Sequence, residues 1–310
     1  MLFRSYRELR SLLAGRGQML PLDPPCAETA TIGGVVASNS SGPRRRLYGT
    51  ARDMVIGMRF ATLEGKLVET GGMVVKNVAG LDVAKLMTGS FGTLAALVSV
   101  NFKLAPLPGA TRTFVFACGS AAEALERRGR ILKSVLHPAA LDLLNPAAAQ
   151  SLGRQGWLLA AAAGGNAGVV GRWSRELAGA EELEGEAEEA FWRGAREFAP
   201  AFLERHPDGA VARVSTTLTG VGGVLERAPG PALARAGSGV CYAGFEDAHA
   251  AAAWVAGQGR GAVVEFCAPE RKDGLTLWPA PGSDFETMRA VKGLFDPGNL
   301  LNRGRLYGRI

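Results

Sequence analysis

Between Thr29 and Gly42 the chain runs Thr-Ala-Thr-Ile-Gly-Gly-Val-Val-Ala-Ser-Asn-Ser-Ser-Gly, and this stretch limits the possible folds more than any other. Gly33 and Gly34 remove the Cβ, so whatever packs here approaches the backbone itself. The paired glycines and the Ser-Asn-Ser-Ser run oppose a long helix or a central strand, which predicts a loop around one short helical turn. Thr31, Ser38, Asn39, Ser40 and Ser41 supply small donors and acceptors beside that backbone. Such a surface suits a ligand with phosphate or hydroxyl oxygens. A connecting turn rich in small residues is the other reading of the same letters.

Around this stretch the pattern organises itself. Residues 6–13 place leucines at 9, 12 and 13 before Gly15 and Gly17, which predicts a short amphipathic helix with a glycine cap. Pro24-Pro25 forces an extended segment or turn. Residues 54–61 read as a strand with Ile56, Met58 and Phe60 on one face, and Glu64-Gly65 turns it back into a hairpin over 66–69. A helix over 81–88, stopped by Gly89, and a buried strand over 94–104 follow. Pro106-Leu107-Pro108-Gly109 marks a boundary, and a 310-residue chain suits two cores, so one domain is expected over 1–108 and a second over 109–310. In the second, strands over 114–118, 140–144, 157–163, 210–216, 239–245 and 262–267 alternate with helices over 121–136, within 172–183, and over 186–204, 246–257 and 283–294. The expectation is α+β, with an antiparallel sheet covered by helices on one face.

Several function classes fall away. The four cysteines stand far apart and form no C-x-x-C pair, and the three histidines are equally scattered, so no metal centre or iron–sulfur cluster is expected. Two disulfides are open on the even count, but no other feature signals an oxidising compartment and buried free thiols are expected. Residues 157–165, the longest weakly polar run, are far shorter than the roughly 20 needed to span a bilayer. Arg4, Arg7, Glu8 and Arg10 interrupt any signal-peptide core, so a cytoplasmic address is expected. The net charge of +6 is dispersed except at Arg44-Arg45-Arg46, which suits a phosphate, a partner subunit or water. Nucleic-acid binding through that run is the reading ranked last.

Taken in order, Pro21-Leu22-Asp23-Pro24-Pro25, residues 30–42, Tyr48-Gly49-Thr50 and Asp53 resemble the second FAD-binding subdomain of the vanillyl-alcohol-oxidase (PCMH-type) family. Gly89-Ser90-Phe91-Gly92-Thr93-Leu94 resembles that family's G-S-E-G-T-L element. Residues 71–82, Ser41-Gly42-Pro43-Arg44-Arg45 and Phe91 resemble the branch that contains the E subunits of glycolate oxidases. The end of the chain, from Phe295-Asp296-Pro297 through Asn302-Arg303-Gly304-Arg305-Leu306-Tyr307, resembles the family's closing signature, with Arg303 in place of a proline.

The resemblance implies a PCMH-type FAD-binding domain, represented by its second subdomain only, followed by a cap domain. It implies FAD held by Pro24, Thr31, Ile32, Gly33, Gly34, Ala37, Ser38, Asn39, Gly42, Asp53, Gly89, Ser90, Gly92, Thr93, Leu94, Val98 and Asn302. The chain starts near the helix that should follow the family's phosphate-gripping loop, so the main phosphate donors are expected to be absent. The implied reaction is oxidation of a small 2-hydroxy acid to a 2-oxo acid by hydride transfer to FAD. The implied assembly joins a second flavoprotein subunit and an iron–sulfur subunit, with an address in the cytoplasm or on the inner face of the membrane. Hydride transfer needs a cation for the carboxylate and a base for the hydroxyl proton. Arg213 is one candidate, with an ordinary surface arginine as the other reading. Lys76 and Asn77 are candidates for a flavin or substrate edge, against helix capping and packing. A non-catalytic structural subunit without flavin is the competing function, and a nicotinamide-dependent cell-wall reductase is an alternative on the glycine-rich loop alone.

Overall fold

The computed structural model of the chain describes residues 5–72 and 81–310; Lys76 and Asn77 lie outside the described residues. By packing, the chain divides into two units: residues 1–42, 48–107 and 280–310 form the first, residues 43–47 and 108–279 the second.

In the first unit, α1 (Tyr6–Ala14) is capped by the Ser5 hydroxyl and buries Tyr6 and Leu13. Strand β1 (Gln18–Met19), helix α2 (Ile32–Ser38), short helices α3 (Arg45–Tyr48) and α4 (Ala51–Met54), strands β2 (Val55–Ala61) and β3 (Leu67–Gly71), helix α5 (Val83–Met87) and strands β4 (Ala96–Phe102) and β5 (Ala105–Pro106) follow, with α3 lying across the boundary of the two units. The sheet runs β3-β2-β4, all antiparallel, and β1 pairs with β5. Met58 and Phe60 on β2 are buried among Val36, Met87 and Leu94, while Leu20, Leu22 and Val35 form a neighbouring cluster with Tyr6.

The second unit holds one sheet in the order β13-β10-β12-β11-β7-β8-β6-β9. Its members in chain order are β6 (Ala110–Cys118), α6 (Ala121–Lys133), β7 (Ala140–Leu144), α7 (Pro146–Gln150), β8 (Trp157–Gly165), α8 (Ala167–Glu176), β9 (Glu181–Leu183), α9 (Gly185–Arg196), α10 (Phe198–Arg205), β10 (Ala210–Ser215), α11 (Val221–Arg227), β11 (Ala232–Arg235), β12 (Val240–Phe245), α12 (Ala248–Ala256) and β13 (Ala262–Cys267). Alternation along β10 separates two cores: Ala210, Ala212 and Val214 face α6, α8, α11 and α12, whereas Val211 faces Ala148, Phe191 and Phe202 of α7, α9 and α10. Helices therefore cover both faces, not the one face expected. The 172–183 segment contains strand β9 where a helix was expected, because Glu181 and Glu182 add an edge to β6 instead of continuing α8.

The tail, expected in the second domain, packs with the first unit through helix α13 (Phe285–Phe295). Phe295 meets the ring of Phe60 at 6.5 Å, and the Lys292 ammonium, almost fully buried, donates to Thr93 O at 2.7 Å and Leu301 O at 2.9 Å and pairs with Asp296 at 2.5 Å. Burial works to raise the Asp296 carboxyl, but Lys292 and the Leu300 and Leu301 amides outweigh it and hold it down to about 2. A depressed carboxylate pKa contributes stability above its unfolded value of 3.8, and that stability is lost as pH falls toward 2. Hydrogen-exchange labelling across this window is expected to show residues 296–302 losing protection between about pH 4 and pH 2, with the pH dependence abolished in Asp296→Asn. Equal protection of that segment at pH 5 and pH 2 in the parent chain refutes the tether.

Among the described residues the cysteines form no disulfide; Cys118 and Cys241 are buried and Cys267 is half-buried, but Cys26 is exposed, against the expectation of buried thiols. No helix among the described residues is long and apolar enough to cross a membrane.

Candidate functional site

Helix α2 begins where Thr31 accepts a hydrogen bond from Gly34 N at 3.1 Å, and it ends at Asn39, whose φ of 50° places it in the left-handed region that asparagine tolerates. Among the described residues a Cβ at Gly33 would meet no atom within 4 Å, which leaves the first turn of α2 open to a ligand. The loop carrying Gly89, Ser90, Gly92 and Thr93 lies against the other end of the helix: Gly89 N donates to Val36 O at 3.0 Å and Phe91 N to Ala37 O at 2.7 Å. Gly89, Phe91 and Gly92 all take positive φ, and Phe91 at 55° is strained for an aromatic residue. Two C-terminal groups hold it there. Asn302 Nδ2 donates to Phe91 O at 2.6 Å, and the Arg305 guanidinium sits 5.3 Å from the Phe91 ring centroid. The structure thus brings Thr31 through Asn39, residues 89–93 and Asn302 together, although they span the length of the chain.

Within this cradle the polar groups divide by employment. The hydroxyls of Thr31, Ser38, Ser41 and Thr93 are engaged internally, by Gly34 N, Gly34 O, Ala51 N and Ser90 O. Asn39 Oδ1 accepts from Arg52 N at 3.0 Å. Asp53 closes a capping box on Thr50: burial opposes its charge, but the backbone and hydroxyl hydrogen bonds from Thr50 win and lower its pKa. Gly42 is required by packing, since a Cβ there would lie 1.8 Å from Asp23 O. Pro24 and Leu94 are buried. The buried Ser90 makes no side-chain hydrogen bond among the described residues, Ile32, Gly33 and Ala37 are half-buried, and Val98 is half exposed on β4.

In the second unit Arg213 stands on β10 with its guanidinium 2.5 Å from the Glu265 carboxylate and 2.9 Å from the Ser215 hydroxyl. Its charge is already matched. Sequence reasoning missed two neighbours, Tyr242 and Arg45. Tyr242 lies directly opposite Arg213 on β12. Arg45, in the segment that packs with this unit, is half-buried, and burial lowers its pKa, partly countered by Tyr242. The sequence signals for Arg45 are the basic run 44–46, which equally describes a solvated face, and its place in Ser41-Gly42-Pro43-Arg44-Arg45; neither signals a site beside Arg213.

Residues 5–71 match the family described as an FAD binding domain. The chain is 37% identical over 190 residues to the glycolate oxidase subunit GlcE of Escherichia coli K12, a match covering 61% of this chain and 49% of that protein. It is 35% identical over 130 residues to the glycolate oxidase subunit GlcD of Bacillus subtilis 168, covering 42% of this chain and 28% of that one. It is 39% identical over 82 residues to a D-lactate dehydrogenase of Archaeoglobus fulgidus, covering 26% and 18%. The chain spans about half the length of the GlcE relative and less of the other two. Among solved structures, an alkyldihydroxyacetonephosphate synthase superposes with a TM-score of 0.65 at 19% identity, over 96% of this chain and 60% of that one. The BBE-like protein 28 of Arabidopsis thaliana gives 0.52 at 14% identity, over 77% and 56%. These likenesses establish the architecture as the α+β, PCMH-type FAD-binding fold.

Proposed function

We propose, from the premise that this chain carries an FAD binding domain and has the fold and relatives of FAD-linked 2-hydroxy acid oxidoreductases, that it is the FAD-binding subunit of a glycolate-oxidase-like complex. The reaction is oxidation of a small 2-hydroxy acid to the 2-oxo acid. The partners are a second flavoprotein subunit and an iron–sulfur subunit, and the complex works in the cytoplasm or against the inner face of the membrane. FAD, when bound, supplies the hydride acceptor.

One observation carries this reading: helix α2, whose first turn Gly33 leaves open, the 89–93 loop packed on its other end and Asn302 come together from distant parts of the sequence. The residues fit part of a dinucleotide. The Gly33 backbone permits close approach and Ser90 offers a hydroxyl with no partner among the described residues. Ile32, Gly34, Ala37, Gly89, Gly92, Thr93 and Leu94 shape that surface, Asn302 fixes its Phe91 edge, and Val98 offers exposed apolar contact. Pro24, Gly42, Asn39 and Asp53 support it through packing and caps. Lys76 and Asn77 remain proposed for the flavin or substrate edge. Arg213 is proposed to act on the substrate side of the reaction through the groups it holds in place.

A Gly33→Val substitution tests the cradle. Because the new side chain enters open space, thermal unfolding is expected to stay unchanged while FAD affinity, followed by flavin fluorescence, falls by about tenfold or more. The competing reading, a structural subunit without flavin, draws support from the internal use of the Thr31, Ser38, Ser41 and Thr93 hydroxyls. It predicts that the chain, titrated with FAD in the presence of its partner subunits, acquires no flavin of its own, and that result would sink the FAD assignment.

A further inference from the structure

One face of the second unit's sheet carries a polar row. Arg213 on β10 lies opposite Tyr242 on β12, and Arg235 on β11 lies opposite Asp142 on β7. The Arg235 guanidinium is 5.6 Å from the Tyr242 ring centroid, which joins the two halves of the row. Arg213 pairs with Glu265 on β13, and Arg235 with the fully buried Asp142. Every charge in the row itself is therefore matched.

Arg45 breaks this balance. The neighbouring Arg46 stem is seated against the turn between β11 and β12, where a Cβ on Gly237 would come within 2.4 Å of its Cδ, so the 43–47 segment is held beside these strands. The Arg45 guanidinium lies within the electrostatic reach of Tyr242, Arg213, Arg235 and Glu265. Neither it nor the Tyr242 hydroxyl makes a hydrogen bond or ion pair among the described residues. Arg45, Arg213 and Arg235 against Asp142 and Glu265 leave one formal positive charge, 3 − 2 = +1. A half-buried cation without a partner is costly, and the cost is recovered when an anion arrives. Burial, with Glu265 adding to it, pushes the Tyr242 hydroxyl up to about 12, so it stays protonated and donates.

We propose that Arg45 and the Tyr242 hydroxyl form the binding site for the carboxylate of a small monocarboxylic acid, with Arg213 and Arg235 as positioning residues whose charges Glu265 and Asp142 consume. A guanidinium and a phenol offer planar and single donors suited to the two oxygens of a carboxylate, and one uncompensated charge matches a monoanion. The identity of the acid as a 2-hydroxy acid rests on the proposed function; the site itself rests on the unpartnered groups.

Equilibrium titration of the 310-residue chain with glycolate reads the site without turnover. Arg45→Met is expected to weaken glycolate binding by about tenfold or more, Arg45→Lys by less, and Tyr242→Phe by about threefold to tenfold. Binding of the neutral analogue glycolamide is expected to be equal in all of them. Unchanged glycolate affinity in Arg45→Met, no glycolate binding by the parent chain, or phosphate binding tighter than glycolate with the same Arg45 dependence would each overturn the assignment. If Arg45→Met does not fold, as judged by circular dichroism, equal affinities of the parent, Arg45→Lys and Tyr242→Phe chains overturn it instead. Two further results separate this site from the redox reading. Arg45-dependent glycolate binding with no flavin reduction in the assembled complex removes the redox reading and leaves the site. Flavin reduction with the same KM for glycolate in Arg45→Met removes the site and leaves the redox reading.

Discussion

Replacing Asp142 with alanine is expected to lower the unfolding free energy of the second unit by about 3–5 kcal/mol, because it strands the buried Arg235 guanidinium without its counter-ion. Both side chains are almost wholly out of water, and the remaining hydrogen-bond partner of Arg235 among the described residues is a backbone carbonyl, Ala195 O at 3.0 Å. The pair is already imperfectly satisfied: Asp142 Oδ1 and Arg235 Nε lack hydrogen-bond partners among the described residues. Burial pushes the Asp142 carboxyl up against the pull of Arg235, so desolvation is the larger force at this site. It follows that the double change Asp142→Leu with Arg235→Met should restore much of the loss, which breaking the pair from one side cannot do. Urea unfolding followed by tryptophan fluorescence checks both, since all five tryptophans, at 157, 173, 192, 254 and 278, lie in the second unit. A double variant no more stable than the single one contradicts this account.

The second large effect is expected in the first unit, where Gly42→Ala should cost about 3 kcal/mol or more. The added methyl would sit 1.8 Å from Asp23 O and 2.8 Å from Asp23 C, and backbone atoms cannot swing aside as the end of a side chain can. Asp23 is itself constrained, with φ at 46° and Pro24 following it. Gly42 N also donates to Leu22 O at 2.7 Å, so the shift would open the joint that aligns the glycine-rich segment with its neighbours. Hydrogen-exchange mass spectrometry is expected to show lost protection over 20–42 with no change in the tryptophan unfolding curve. Parent-like protection in that segment would show that the backbone accommodates the methyl group.

Gly42 also shows what the amino-acid order can and cannot reveal. Its place in the glycine-rich stretch marks it as a residue that must lack a side chain, yet the reason is a neighbouring carbonyl and not a ligand. Strands rich in apolar residues, such as Ala140–Leu144 and Ala262–Cys267 with one acidic residue each, appear where their residues predict. The short elements α11 and β11 escape such reading, because Gly222-Gly223 and Pro229-Gly230-Pro231 look like loop and the four residues of β11 are too few to show a period. Arg45 and Arg46 are neighbours of identical type. One is half-buried among strands of the second unit and the other is exposed, a difference set by tertiary packing that a basic run cannot encode. Phe91 likewise has an unremarkable letter in a remarkable conformation, made possible by Asn302 far along the chain.

The return of α13 to the first unit has a consequence for how the molecule is made. Lys292 closes on Thr93 from 199 positions further along the chain, so the first unit cannot be completed until α13 has been translated. The second unit, apart from 43–47, is contiguous over 108–279 and is fully synthesised before that closing helix exists. Its folding shortens the effective loop whose ends Lys292 and Thr93 must join, which reduces the entropy of closure. The usual vectorial order, N-terminal unit first, is thereby reversed on the ribosome: the inserted unit matures ahead of the one that was started before it.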